Sequence, residues 1–249
     1  MIDRTDILRI ARKRGFPAGT IEKEYMLTVF LREIAKFGGF VFKGGTALSK
    51  VYLDYYRISE DLDFTYTGSD MKDAEEAIRT ACRNLNLEIK DENETSNSYN
   101  AEIKFVGPLQ YQNNIKIDVS IREKLVFEPN KVEIKTFYAD IEPFVVNVFD
   151  LREIVSEKIR ALMQRSKPRD YFDIWFLLKI KKFDVKEIRM AVIEKCNRIG
   201  IKYDPEKIFS DTETLRKQWK MDLIHLVREL PDFDTVISDL KKGLAFLKE

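Results

Sequence analysis

The chain has 249 residues, of which 44% are hydrophobic, 34% charged and 12% aromatic, enough apolar material for one large domain or two small ones and too much for intrinsic disorder. Lys and Arg number 43 against 42 for Asp and Glu, a net charge of +1, so no global field draws in nucleic acid or anionic lipid, and any polyanion must be held by a local patch. Cys82 and Cys196 lie far apart outside any CxxC spacing, which excludes a disulfide framework or cysteine zinc site. With no apolar run near the ~20 residues of a membrane span, the chain reads as a soluble, cytoplasmic protein that engages no membrane.

In chain order, residues 21–36 carry Ile21, Tyr25, Leu27, Phe30, Leu31 and Ile34 at helical spacing. The run Phe40-Val41-Phe42 followed by Lys43-Gly44-Gly45-Thr46 and an amphipathic stretch (Ala47, Leu48, Val51, Tyr52, Tyr55) predicts strand, glycine turn and helix. After Ser59-Glu60 the pattern switches to alternation, with Asp61 and Asp63 on one side and Leu62 and Phe64 on the other, a strand. Residues 71–87 are helical again, and the polar stretch Asp91 to Asn100 reads as a loop or hairpin tip. Two alternating segments, around Ile103 and Phe105 and from Ile115 to Arg122, predict neighbouring antiparallel strands, and Val132 to Phe149 is β-rich. From Asp150 onward every periodic segment is helical. The predicted class is therefore α+β: a mixed sheet with helices over residues 1–150, followed by an all-α part over 151–249.

Side chains two apart on a strand share a face, which places the Asp61 and Asp63 carboxylates about 7 Å apart. Asp118, alternating with Ile117 and Val119, lies on the polar face of another strand. If those strands are neighbours, three hard oxygen donors converge, the arrangement that suits Mg²⁺ or Mn²⁺ and metal-assisted phosphoryl or nucleotidyl transfer. A solvated sheet face is the plain alternative for a DxD alone. The Gly44-Gly45-Thr46 turn upstream adds backbone N–H groups where phosphate can be held; its spacing matches neither GxxxxGK[ST] nor GxGxxG.

In the helix spanning 151–165, Lys158 projects from an apolar stripe made by Leu151, Ile154, Val155, Ile159 and Leu162, with Arg165 close to the same line. An ammonium on such a face requires an anionic partner, either triphosphate oxygens or the strand aspartate cluster, unless the side chain snorkels to solvent. Pro168 then breaks the chain into a helical hairpin whose second helix carries Asp170 and Asp173 on one face. Lys158, Arg160, Arg165, Lys167 and Arg169 place five cations in twelve residues, the best local candidate for contact with polyphosphate or an RNA backbone.

Phe42-Lys43-Gly44-Gly45-Thr46-Ala47-Leu48 followed by Arg57-Ile58-Ser59-Glu60-Asp61-Leu62-Asp63-Phe64 resembles the signature of the AbiEii/AbiGii-type nucleotidyltransferase toxins, a branch of the polymerase-β-like superfamily. Lys116-Ile117-Asp118, Glu157-Lys158-Ile159-Arg160-Ala161-Leu162 and Lys167-Pro168-Arg169-Asp170-Tyr171-Phe172-Asp173 are similar to that family's later segments, so the likeness spans about residues 42–178. The resemblance implies a bilobed protein with the nucleotide in a cleft closed by the helical lobe. It implies that Gly44, Gly45 and Thr46 hold the triphosphate, with Lys43, Arg57 and Ser59 among the nucleotide-binding residues. Asp61 and Asp63 would bind metal, and Asp118 would act as base or as third metal ligand. Lys158 would reach the phosphates, and Asp170 would complete the site with Asp173 and Arg169 orienting it. The implied reaction is Mg²⁺-dependent transfer of NMP from an NTP to an acceptor such as tRNA with release of pyrophosphate, and the implied partner is a cognate antitoxin. Gly-Gly-Thr replaces the superfamily's usual Gly-Ser turn, which leaves the choice of NTP open. Two other readings use the same residues: a non-catalytic NTP-binding regulatory module, and a metal-dependent nuclease.

Overall fold

The computed structural model describes residues 1–121 and 125–248, so Arg122, which extends the alternation of its strand, lies outside the described residues. The chain forms two compact units: Met1–Lys124 with Pro129–Phe149, and Leu125–Glu128 with Asp150–Glu249.

The first unit opens with α1 (Arg4–Arg14), whose start is set by an Asp3/Asp6 capping box and whose end is set by Gly15 at φ 75°. It continues through α2 (Ala18–Ile34), β1 (Phe40–Lys43), the short α3 (Gly44–Ala47), a π-helical turn Leu48–Tyr52, and β2 (Asp61–Tyr66). Then come α4 (Met71–Leu85), β3 (Glu88–Thr95), β4 (Ser98–Val106), β5 (Gln112–Ser120), β6 (Asn130–Ile134) and β7 (Phe144–Val148). The predicted helix after the glycine turn is thus one α-turn followed by π-winding; Tyr55 lies beyond it at φ 55°, yet is buried as its apolar spacing implies.

The strands form one mixed seven-stranded sheet in the order β3-β4-β5-β2-β1-β7-β6. β2 runs parallel to β5, and β1 parallel to β7. β4 and β5 pair antiparallel, as their adjacent alternating segments predict. The stretch from Asp91 to Asn100, expected as a loop or hairpin tip, is the end of a hairpin and mostly strand: Asp91–Thr95 belong to β3 and Ser98–Asn100 to β4, paired from Glu88↔Lys104 to Thr95↔Ser98, with only the turn between them irregular. β3 is an edge strand exposed nearly throughout, so backbone pairing holds it and no alternation of burial marks its sequence.

One face of the sheet carries Phe40, Phe42, Leu62, Phe64, Ile103, Ile115, Ile117 and Val119, all buried, with α2 packed on β5 and α4 on β4. α4 contributes Ala74, Ile78, Ala81 and Cys82, a stripe at helical spacing whose burial is the main stabilising term.

The second unit is α-helical: α5 (Leu151–Leu162), α6 (Pro168–Ile180), α7 (Val185–Arg198), α8 (Thr212–Leu223) and α9 (Phe233–Gly243), with 3₁₀ turns at Pro205–Phe209 and Ala245–Lys248. Pro168 occupies the first turn of α6, which packs against α5, α8 and α9 and forms the centre of this unit. The segment Leu125–Glu128 joins this unit for a definite reason. Glu153 Oε2 accepts the N–H groups of Val126 (3.0 Å) and Phe127 (2.9 Å), its other oxygen pairs with buried Lys195 (2.7 Å), and Arg198 donates to Leu125 O (3.1 Å). Among the described residues no helix is long and apolar enough to cross a membrane.

Candidate active site

Opposite the apolar face, the sheet presents a polar one. In register across four strands stand Lys43 of β1, Asp63 of β2, Asp118 of β5 and Asn100 of β4. Residues directly paired across a ladder point to the same side, so this row places Asp63 and Asp118 beside each other at the ~4.8 Å spacing of adjacent strands. Asp61 lies two residues back on the same face, paired with Lys116. The structure therefore brings together the three acids picked out by alternation. Burial pushes the Asp118 carboxyl above the ordinary carboxylate range and the Asp61 charge adds to this, against the pull of Lys116 and Lys43.

The glycine turn sits against this row. Gly44 has φ 74°, a conformation costly for residues with a Cβ, and a Cβ there would lie 2.8 Å from Asp63 Cγ. Close approach of the Asp63 carboxylate to the turn thus requires glycine. A Cβ on Gly45 would meet the Arg57 guanidinium (Nη2 at 2.6 Å) and Ser59 Oγ (3.3 Å), so the buried Arg57 underlies the turn. Thr46 Oγ1 donates to Asp61 O (2.5 Å), Ser59 Oγ donates to Asp61 Oδ1 (3.2 Å), and Arg57 Nη1 donates to Ile58 O (2.9 Å). The Thr46 hydroxyl proton is therefore spent on tying turn to strand, which leaves backbone N–H groups as the turn's donors. Lys43 Nζ donates to Ser120 Oγ (3.1 Å). Ser120 and Asn100 were not singled out from the sequence; the alternation that flags Asp118 also places Ser120 on its face.

Behind the turn, the π-helical residue Lys50 is buried and ion-paired to Glu24 of α2, donates to Thr28 Oγ1 (2.6 Å), and shares Glu24 with the Tyr138 hydroxyl. This buried cluster ties the segment following the glycine turn to α2. π-helical winding of this kind is frequent at functional sites.

Among the described residues no three acidic, His or Cys side chains form a ready-made metal cage. The donor set nevertheless fits a hard divalent cation: carboxylate oxygens on one face, beside a turn a Cβ would fill. Mg²⁺ takes one or two protein carboxylates and completes its shell with water and substrate phosphate.

In the second unit Lys158 is 11% exposed and paired with Asp170 (3.0 Å) and Asp173 (2.7 Å), so the anion its position on the apolar stripe demands comes from α6 and not from the strand aspartates expected to supply it. Arg165 adds a second cation to Asp170 (2.9 Å). Burial pushes the Asp170 carboxyl up, but Lys158 and Arg165 outweigh it and hold it below the ordinary range. Arg169 is half-buried in the first turn of α6.

The profile of the family described as "Nucleotidyl transferase AbiEii toxin, Type IV TA system" matches residues 27–239. The fold is similar to that of MenT4, a nucleotidyltransferase toxin from Mycobacterium tuberculosis H37Rv (TM-score 0.73, 16% identity, covering 100% of this chain and 90% of that one). It is also similar to JHP933 from Helicobacter pylori (TM-score 0.65, 20% identity, 94% of each chain). No curated protein sequence matches it. The family profile takes in the glycine turn, both acidic strands and the Lys158–Asp170–Asp173 triad, and this chain belongs to the AbiEii nucleotidyltransferase toxin family.

Proposed function

We propose that this protein transfers NMP from an NTP to an RNA acceptor such as tRNA, with Mg²⁺ or Mn²⁺, and that a cognate antitoxin restrains it. The observation that carries the reading is the register Asp63↔Asp118 beside the Gly44–Gly45 turn. Asp61 and Asp63 would hold the cation, with Asp118 as base or third ligand; the cation, when bound, would neutralise triphosphate charge and acidify the attacking hydroxyl. Gly44, Gly45 and Thr46 would cradle the triphosphate through backbone N–H groups, with Lys43, Arg57 and Ser59 supporting the turn. Asp118 would take the proton from the acceptor hydroxyl; that oxygen bonds the α-phosphorus, and the bond from phosphorus to the pyrophosphate oxygen breaks.

Lys158, oriented by Asp170 and Asp173, is an ammonium fit for phosphate oxygens, with Arg169 and Asp173 as orienting groups. A sensor without turnover would have no use for a base, and the mononucleotide turn favours NTP over a cleaved strand. The deciding experiment supplies each α-labelled NTP with Mg²⁺ and total RNA. Labelled RNA supports the proposal; RNA fragments support a nuclease, and retained NTP without product supports a binding module.

A further inference from the structure

The second unit contains a polar cavity of ≈670 Å³ at the corner between α5 and α6. Its walls come from the α5–α6 turn (Arg165, Lys167), the approach to the 3₁₀ turn (Lys202), that turn itself (Lys207), and the first turn of α8 (Asp211, Thr214). The 3₁₀ wall is fixed in place, because the buried Tyr171 hydroxyl of α6 donates to Ile208 O.

The charges on this lining are unbalanced. Of its four cations, Arg165 is committed to Asp170, whereas Lys167, Lys202 and Lys207 are exposed and form no ion pair among the described residues. The one acid on the lining, Asp211, accepts the Thr214 N–H and caps α8. Elsewhere several cations of this near-neutral chain are paired, among them Lys36 with Glu33, Lys195 with Glu153 and Arg216 with Asp234. Three unpaired ammoniums around one cavity form the local patch that a net charge of +1 obliges a polyanion-binding protein to build.

We propose that this cavity binds the phosphodiester backbone of single-stranded RNA. Phosphate is the shared chemistry of RNA and NTP, and two features favour the polymer. The lining contains no aromatic side chain on which a base could stack, and only one carboxylate, already occupied, to share a metal with a triphosphate. Lysines on a polar wall, with Thr214 and Gln218 as neutral donors, match backbone contacts that position a strand without reading its sequence. No residue of this lining is given a role in nucleotidyl transfer, although Arg165 pairs with Asp170, and binding here is measurable without that reaction.

The test measures binding of a fluorescein-labelled single-stranded RNA of about 12 nucleotides by anisotropy across a salt series, using the full chain. The expected Kd for wild type is on the order of 10⁻⁶ to 10⁻⁴ M. Lys202→Glu/Lys207→Glu should weaken it at least tenfold and reduce the salt slope by about 1.4, two phosphate contacts at ~0.7 each. A control with the same charge change on exposed lysines away from the cavity, Lys181→Glu/Lys182→Glu, should change Kd by less than about threefold. ATP, GTP, CTP and UTP binding, measured by calorimetry, should be the same in wild type and cavity variant. Absence of RNA binding, equal losses in the two variants, binding of poly-glutamate as tight as RNA, or loss of NTP binding in the cavity variant would each overturn the proposal. Because none of these readouts requires turnover, failure here is distinct from failure of the transfer reading.

Discussion

Asp63 and Asp118 face each other directly across the parallel β2–β5 ladder, though 55 positions separate them in the chain. Their carboxylates leave the sheet together, beside a glycine whose missing Cβ makes room for one of them.

If this pair carries the chemistry, Asp63→Ala and Asp118→Asn should each lower label transfer ~10²–10⁴-fold, the range for loss of a positioned base or ligand. Thermal unfolding should move little, because both acids lie on the half-exposed polar face and neither packs in the core. Near-wild-type transfer by either variant would remove the site.

Gly44→Ala should reduce transfer by more than tenfold. The left-handed conformation at φ 74° costs ~1–2 kcal/mol with a Cβ present, and that atom must displace Asp63. Stability should therefore fall modestly and activity steeply, which parallel unfolding and transfer assays will show.

Lys50→Met should destabilise the fold by ~3–5 kcal/mol, since it strands Glu24 in the interior. Glu24→Met/Lys50→Met should recover much of the loss by removing both charges. Urea unfolding of the three proteins reads the difference, and an additive double variant would mean that the pair is not coupled.

Acid sensitivity should report on Asp170. Its folded carboxyl is held below the ordinary range, so the ionised form stabilises the protein above the unfolded value near ~3.9, and that contribution disappears as pH falls through the folded value. Arg165→Ala should bring acid unfolding to higher pH by weakening this hold. Arg165 is 57% exposed, so the shift should be small, ~0.2–1 kcal/mol. Circular dichroism from neutral to acidic pH, with Asp170→Asn as the variant in which Arg165→Ala no longer moves the transition, provides the check.

The α+β class, the change to helices at Asp150, the Pro168 break and the common face of Asp61 and Asp63 were all legible in the sequence, because each depends on local spacing: alternation for a strand, helical periodicity for a stripe, a fixed φ at proline. β3 was not, since an exposed edge strand is held by backbone bonds that leave no apolar pattern. Lys158 illustrates the division most clearly. Its position on an apolar stripe demanded an anion, but Asp170 and Asp173 become that anion only through the rotation of α6 against α5. The alignment of Asp63 with Asp118, the buried Glu24–Lys50 pair and the lysine-lined cavity likewise follow from strand register and helix packing between distant segments. Such contacts are selected by burial of the whole core, and no local window of residues encodes them.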